Sequence, residues 1–210
     1  MKKLLTLTLA GLLAVGLSGC GPHENTATPE KPAIYLYPEE ETQVSVTLEL
    51  DGTFTSTYPD YGEGWTVTAA PDGTLTDPET GRTYYCLFWE GIIDRQFDLS
   101  AGFCVAGEDT AAFLEDALAR LGLTEREANE FIIYWLPRME GNPYNLISFQ
   151  TDAYTDAAEL TIAPAPDTLI RVFMTWKGLE QPVEIPAQEL TAPARTGFTA
   201  VEWGGAELGK

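Results

Sequence analysis

The sequence predicts an α+β fold that is mainly antiparallel β, with sandwich-like sheets and one inserted helical pair. The clearest β signal is residues 44–50, where valine and leucine alternate with polar residues, as in a strand with one buried face. Turn-forming clusters such as Asp51-Gly52 and Pro71-Asp72-Gly73 recur between short β-prone runs. One stretch, residues 114–121, instead carries apolar side chains at helical spacing.

The N-terminal residues have the pattern of an export signal. Two lysines precede an apolar run, residues 4–17, which is shorter than the ~20 residues that a membrane-spanning helix needs. The run ends in Leu-Ser-Gly-Cys20, which resembles the lipobox of bacterial lipoproteins. The resemblance implies that residues 1–19 are a signal peptide and that Cys20 is acylated as the mature N-terminus. The alternative is an ordinary secretory signal that happens to end near a cysteine.

The resemblance also implies a location and a domain plan. The lipid on Cys20 would attach the protein to the bacterial cell membrane, with the domain facing outside the cytoplasm. Residues 20–32 are polar and rich in proline, which predicts the lipidated cysteine and a flexible tether. Residues 33–204 are predicted to form a single strand-rich domain, and residues 205–210 a loose tail.

Strands of the first half of the domain are predicted from β-prone runs between turns. They are residues 34–37, 44–50, 53–58, 65–69, 74–76 and 83–90. Asp51-Gly52 would turn the second of these runs onto the third as an antiparallel partner. The last run is apolar on both faces, so it is predicted to be a central strand that is covered on both sides.

Two helices are predicted in the middle of the chain. The first has Glu108 and Asp109 at its start, apolar residues at helical spacing over residues 114–121, and Gly122 at its end. Thr124 to Glu127 form a capping box that opens the second. Residues 131–136 are bulky and aromatic, which suits either a continued helix or a new strand. Strands are predicted again at residues 144–149, 159–162, 169–176 and 198–203, with a short edge strand at residues 183–185.

Composition excludes several function classes. The chain has 32 acidic and 12 basic residues and a net charge of −20, which disfavours nucleic acid as a partner. Such acidity usually means a solvated surface, and the alternative is a preference for cationic ligands. The single histidine, His23, lies in the tether, so Ser-His-Asp and Cys-His mechanisms and histidine zinc sites are not expected. Phosphate loops and Cys-x-x-Cys pairs are absent from the sequence, so no cofactor or metal is predicted.

Four short blocks resemble a family of uncharacterised bacterial envelope proteins. The blocks are Lys-Pro-Ala-Ile-Tyr-Leu-Tyr-Pro at residues 31–38, Leu-Phe-Trp-Glu-Gly at 87–91, Tyr-Trp-Leu-Pro at 134–137 and Val-Glu-Trp-Gly-Gly at 201–205. The resemblance would cover nearly all of the mature chain. It implies an envelope protein and carries no catalytic residue across.

Two cysteines remain after Cys20. Cys86 and Cys104 are symmetric about residue 95, so they would face each other if the flanking strands paired around that connection. Opposite Cβ atoms in such a pair lie ~4.5–5.5 Å apart, close to the distance in a disulfide. The sequence therefore favours a disulfide and two buried thiols about equally.

Carboxylates beside aromatic residues are the remaining candidates for chemistry. Glu90 follows Trp89, and Asp94 and Asp98 lie in the next loop. A carboxyl against an aromatic wall can act as a general acid, with a second carboxylate as base or nucleophile. Alternatively, Trp89 packs in the core and Glu90 lies in solvent.

A second aromatic block combines rings with polar groups. Trp135, Glu140, Asn142 and Tyr144 suit a groove for a glycan or a peptide, and Trp89 suits sugar binding. Packing of Trp135 in the core is the favoured alternative. The predicted function is a lipid-anchored envelope protein with a non-enzymatic binding or accessory domain, whose partner is a glycan, a peptide or another envelope protein. The alternative function is a carboxylate-based hydrolase that acts on glycans.

Overall fold

A computed structural model describes residues 28–93 and 95–209, so Cys20, most of the tether and Asp94 lie outside the described residues. Within the described part, strands predominate and form two sheets, one of seven and one of five strands. The predicted α+β, mainly β fold is confirmed. None of the helices in this part of the chain is long and apolar enough to cross a membrane.

The larger sheet has a mixed topology. Its strands, numbered along the chain and given in spatial order, are β3 (Gly52–Tyr58), β7 (Leu87–Ile93), β1 (Glu30–Tyr37), β12 (Thr199–Glu207), β11 (Thr168–Leu179), β9 (Tyr144–Gln150) and β8 (Phe103–Ala106). Strands β11 and β12 run parallel, and the other neighbours are antiparallel. The 19-residue segment that connects β11 to β12, residues 180–198, contains no helix or strand.

The smaller sheet is antiparallel throughout. Its strands in spatial order are β10 (Ala158–Ala163), β2 (Thr42–Leu50), β4 (Trp65–Ala69), β5 (Leu75–Thr76) and β6 (Thr83–Tyr84). The alternation predicted for residues 44–50 is confirmed, since Val44, Val46 and Leu48 are buried while the residues between them are exposed.

The predicted helical pair is confirmed as α1 (Thr110–Arg120) and α2 (Glu125–Met139). The Thr124 hydroxyl accepts a hydrogen bond from the Glu127 amide, and the Glu127 carboxylate accepts one from the Thr124 amide, which is the predicted capping box. Residues 131–136 continue α2, so the strand alternative for them is wrong. A third helix, α3 (Asp152–Ala157), was not predicted.

The seven-stranded sheet is covered on both faces, and this gives the domain three layers. One apolar core lies between the two sheets, and the other lies between the large sheet and helices α1 and α2. Strand β12 supplies both cores, because Ala200 and Ala206 face the small sheet while Val201 and Trp203 face the helices. Strands β1 and β11 also contribute to both cores, so the doubly covered strands are β1, β11 and β12. The prediction that residues 83–90 form one is wrong, because this stretch is divided between β6 and β7 and Tyr85 is exposed.

The predicted hairpin between residues 44–50 and 53–58 is wrong. Strand β3 pairs with β7 in the large sheet, whereas β2 pairs with β4 and β10 in the small one. The chain crosses between the sheets at Gly52, where a Cβ atom would lie 1.9 Å from the Ile92 carbonyl oxygen. Glycine is required by this close approach, and a tight hairpin is not formed.

Three further boundaries are corrected. The domain begins before residue 33, because Glu30 and Lys31 already belong to β1. The edge strand predicted at residues 183–185 is not formed. The predicted loose tail is wrong, because β12 extends to Glu207 and Leu208 is buried and donates its amide hydrogen bond to the Trp176 carbonyl. Apolar burial therefore orders both ends of the described chain.

A tyrosine-lined groove beside a bulge in β1

A groove of about 480 Å³ lies on the face of β7 that points away from the small sheet. Strand β7 directs Leu87 and Trp89 into the core between the sheets, so Phe88 and Glu90 point to the opposite face. We call this cavity the tyrosine groove. It is lined by Lys31, Tyr58, Thr83, Tyr84, Tyr85, Cys86, Phe88, Glu90 and Tyr134.

A β-bulge in β1 forms one side of the groove. The register between β1 and β12 shifts between Glu30 and Ala33, and Lys31 has a positive φ of 62°. A non-glycine residue in this region costs on the order of 1–3 kcal/mol. The Lys31 amide donates a hydrogen bond of 3.2 Å to the Glu90 carboxylate, which stabilises the bulge. Bulges of this kind redirect a side chain, and here the redirected side chain is a lysine.

The bulge needs room on the neighbouring strand. A Cβ atom at Gly204 of β12 would lie 3.0 Å from Pro32, closer than nearly all ordinary contacts. The glycine therefore allows Pro32 to approach β12. The side chain of Lys31 then reaches two rings, with its Nζ atom 5.4 Å from the Phe88 centroid and 5.7 Å from the Trp203 centroid. These are cation–π distances, so the ammonium is held against the aromatic floor of the groove.

Two tyrosines of the groove present their rings to solvent. Tyr58 is 54% exposed and Tyr85 is 51% exposed, and Tyr58 contacts the Tyr84 ring edge-to-face at 5.5 Å. Tyr134 is held instead, because its hydroxyl donates a 3.0 Å hydrogen bond to Glu30 and its ring stacks under the Arg138 guanidinium. Burial raises the pKa of Tyr134, and the nearby Cys86 raises the pKa of Tyr85. Both hydroxyls are therefore protonated at neutral pH, and the Tyr134 hydrogen is the one donated to Glu30.

Cys86 is a buried part of the groove wall, and of the two alternatives for Cys86 and Cys104 the disulfide is not formed. Both thiols are free. Strand β7 lies next to one edge of the large sheet and β8, which carries Cys104, forms the other edge, so the two strands never pair. Burial raises the pKa of Cys86 to about 11, so its thiol is protonated and unreactive at neutral pH.

The two predicted binding tryptophans are core residues. Trp89 and Trp135 are fully buried, which confirms the alternative that both pack in the core. Glu140, Asn142 and Tyr144 lie at the turn between α2 and β9, away from the groove. There the Asn142 amide donates a 2.8 Å hydrogen bond to the Asn145 side chain, which stabilises the turn. Trp135 is therefore not exposed to a ligand, and Glu140, Asn142 and Tyr144 do not line the tyrosine groove.

Of the suspected acidic residues, the structure places Glu90 in the groove. Asp94 lies outside the described residues. Asp98 is exposed and accepts hydrogen bonds from the amide and hydroxyl of Ser100, which lower its pKa and close a local turn. Glu90 is the one carboxylate among the described residues that line the groove. In residues 28–93 and 95–209 there is no group of three or more acidic, cysteine or histidine side chains that could hold a metal ion.

The main site residues that the sequence did not single out are Lys31, Tyr58, Tyr84, Tyr85 and Phe88. A signal for Lys31 and Phe88 existed in the four blocks, because each block contributes to this one place, whereas Tyr58, Tyr84 and Tyr85 lie outside the blocks. Lys31 comes from the first block, Phe88 and Glu90 from the second, Tyr134 from the third, and Trp203 with Gly204 from the fourth. Comparison of the chain with protein-family models, curated proteins and solved structures finds no match. The groove must therefore be interpreted from its own chemistry.

Proposed function

We propose that this protein is a lipid-anchored envelope protein whose domain binds a ligand in the tyrosine groove without transforming it. The observation that carries the proposal is that two half-exposed tyrosines line the same groove as a lysine on a bulge. Aromatic walls with a few oriented polar groups are typical of ligand sites, and such sites commonly measure ~300–1,000 Å³. The groove, at about 480 Å³, lies within that range.

The carboxylate arrangement favours binding over hydrolysis. A glycosidase of the usual kind needs two carboxyl groups, ~5–5.5 Å apart for retention or ~6.5–9.5 Å apart for inversion. Glu90 is the one carboxylate in the described lining of the groove, and its Oε1 atom already accepts the Lys31 amide. The nearby Glu30 carboxylate is likewise engaged, since it accepts the Tyr134 hydroxyl and pairs with Arg138. The hydrogen bond from the Lys31 amide to Glu90 stabilises the bulge, so the presence of Glu90 in the groove does not require a catalytic role.

The proposed anchor would hold the groove near the membrane. Ten residue steps separate Cys20 from Glu30, the first residue of β1. An extended chain spans at most ~3.3–3.6 Å per residue, so the tether would keep Glu30 within about 36 Å of the lipid. Because Lys31 follows directly, the groove would receive ligands that lie close to the membrane surface.

Replacement of Cys20 by alanine is expected to release the protein from the membrane fraction. The lipid is the proposed attachment, and without the thiol no acyl chain can be added. The measurement is fractionation of cells that produce the full chain, combined with the mass of the N-terminal peptide. A Cys104→Ala variant is the control and should stay in the membrane. Retention of the Cys20→Ala protein in that fraction would contradict the anchor.

Replacement of Tyr58 by alanine is expected to weaken ligand binding at least tenfold, because loss of a central aromatic contact commonly costs ~2 kcal/mol or more. The measurement uses the full protein in detergent with a panel of soluble oligosaccharides, short cationic peptides and solubilised envelope proteins, and follows binding and product release together. Val183→Ala, an exposed apolar residue at the opposite edge of the large sheet, is the control. Product release that disappears in Glu90→Gln would favour the hydrolase instead.

A further inference from the structure

A second, smaller cavity of about 170 Å³ adjoins the tyrosine groove. Its lining is formed by Tyr35, Tyr37, Asp72, Gly73, Thr74, Tyr85, Arg126 and Glu127. Tyr85 lines both cavities and is half-exposed, so its ring stands at the boundary between them. The smaller cavity is below the ~300 Å³ at which ligand sites usually begin, but it can extend the groove for a ligand that passes over Tyr85.

Strand β7, whose outer face carries Phe88 and Glu90, offers no free edge to a peptide ligand. Extended peptides gain affinity by adding main-chain hydrogen bonds to an exposed sheet edge. At the groove, Phe88 of β7 is paired with Ala33 on one side and with Tyr58 on the other. The main-chain groups of β7 are therefore used within the sheet, and a ligand that lies over Phe88 must be recognised there by side chains.

The side chains favour an uncharged ligand that is rich in hydroxyl groups. A sugar ring has an apolar face of C–H bonds, which stacks on an aromatic ring, and a rim of hydroxyls that accept or donate hydrogen bonds. Tyr58 and Tyr85 offer the rings, while Lys31 and Glu90 offer one cationic donor and one anionic acceptor. With charges of both signs in the groove and a net charge of −20 on the chain, an anionic polymer is disfavoured.

We infer that the tyrosine groove and the smaller cavity are two adjacent subsites for an uncharged oligosaccharide, with Tyr85 as the shared wall. This inference rests on the proposed function and names the ligand class of the same site. A sugar unit stacks in the groove beside Lys31 and Glu90, and the next unit lies beyond Tyr85. There Arg126, whose side chain is 74% exposed, offers hydrogen-bond donors to its hydroxyls.

The test is calorimetric titration of the full protein in detergent with β-1,4-linked glucose and N-acetylglucosamine oligomers of one to five units. Affinity is expected to rise at least tenfold from one unit to two and then to level off. Tyr58→Ala should weaken every length, whereas Arg126→Ala should remove most of the gain with length and leave single-unit binding within twofold. Val183→Ala should change neither.

The outcomes separate the inference from the proposed function. Affinity that is independent of length, or equal effects of Arg126→Ala on all lengths, would overturn the two-subsite inference and leave a binding groove. The absence of binding by any oligomer, together with Tyr58-dependent binding of a peptide or protein, would overturn the sugar class alone. If the groove binds no ligand of any class, both the two-subsite inference and the proposed binding function are overturned.

Discussion

Replacement of Glu202 by alanine is expected to destabilise the domain by about 3–5 kcal/mol, which is the usual cost of breaking a buried ion pair by removing one partner. Glu202 is fully buried and accepts a 2.7 Å hydrogen bond from Arg171, whose side chain is only 9% exposed. The other carboxylate oxygen accepts a 3.0 Å hydrogen bond from the Trp89 indole. The variant would leave the Arg171 charge and the Trp89 donor unpaired between the two sheets.

Two comparisons make this prediction specific. Asp51→Ala breaks the exposed ion pair with Arg95 and should cost less than about 1 kcal/mol, since exposed pairs contribute little. The double variant Glu202→Leu with Arg171→Met removes both buried charges and should recover much of the lost stability. Urea unfolding of the full chain measures all three. A cost for Glu202→Ala equal to that for Asp51→Ala would contradict the buried-pair interpretation.

The groups that surround Arg171 in the described structure offer its guanidinium no anion other than Glu202. The guanidinium stacks on Tyr154 at 4.8 Å, and Tyr154 in turn stacks on Phe173 at 4.0 Å. The Tyr154 hydroxyl and the Arg171 Nη2 atom are buried, and neither makes a hydrogen bond. Burial raises the pKa of Tyr154, so it stays neutral and cannot act as the missing anion. Glu202 is therefore the only counter-ion that lies against this cation in the described chain.

Local elements could be predicted from the sequence because local chemistry determines them. Residues 44–50 alternate because one face of β2 is buried, and Thr124 with Glu127 closes the α2 capping box within four residues. Strand pairing could not be predicted in the same way. Whether β3 returns onto β2 or crosses to β7 depends on the fit of Gly52 against Ile92, which lies 40 residues further along the chain.

The groove is harder to predict than the strands because its residues share no local pattern. Lys31, Phe88 and Tyr134 come from three distant segments, and no spacing rule connects them. Trp89 and Trp135 stand out in the sequence, but their large apolar area is what drives them into the two cores. The exposed tyrosines are the less conspicuous residues, and whether a ring faces solvent is decided by the element that packs against its strand.

Replacement of Glu127 by alanine is expected to destabilise the domain by about 4 kcal/mol and to loosen residues 180–198. Its side chain is 1% exposed and makes an ion pair with Arg195, whose side chain is 27% exposed. Because Arg195 is only partly buried, the cost should lie near the lower end for a buried pair, and loss of the capping box adds ~1 kcal/mol. The long segment between β11 and β12 contains Arg195, so this pair attaches it to α2.

Two further variants distinguish the two roles of Glu127, which are to close the capping box of α2 and to attach residues 180–198 through its ion pair with Arg195. Glu125→Ala, which removes an exposed acidic residue from the same helical turn, should cost less than about 1 kcal/mol. Arg195→Ala keeps the cap but loses its hydrogen bonds to the Gly122 carbonyl and the ion pair, so it should loosen residues 180–198 as Glu127→Ala does. Urea unfolding gives the free energies, and amide hydrogen exchange reports on the segment. If Glu127→Ala lowers stability while exchange in residues 180–198 is unchanged, Glu127 acts only as a cap; faster exchange in both variants identifies the ion pair as the anchor.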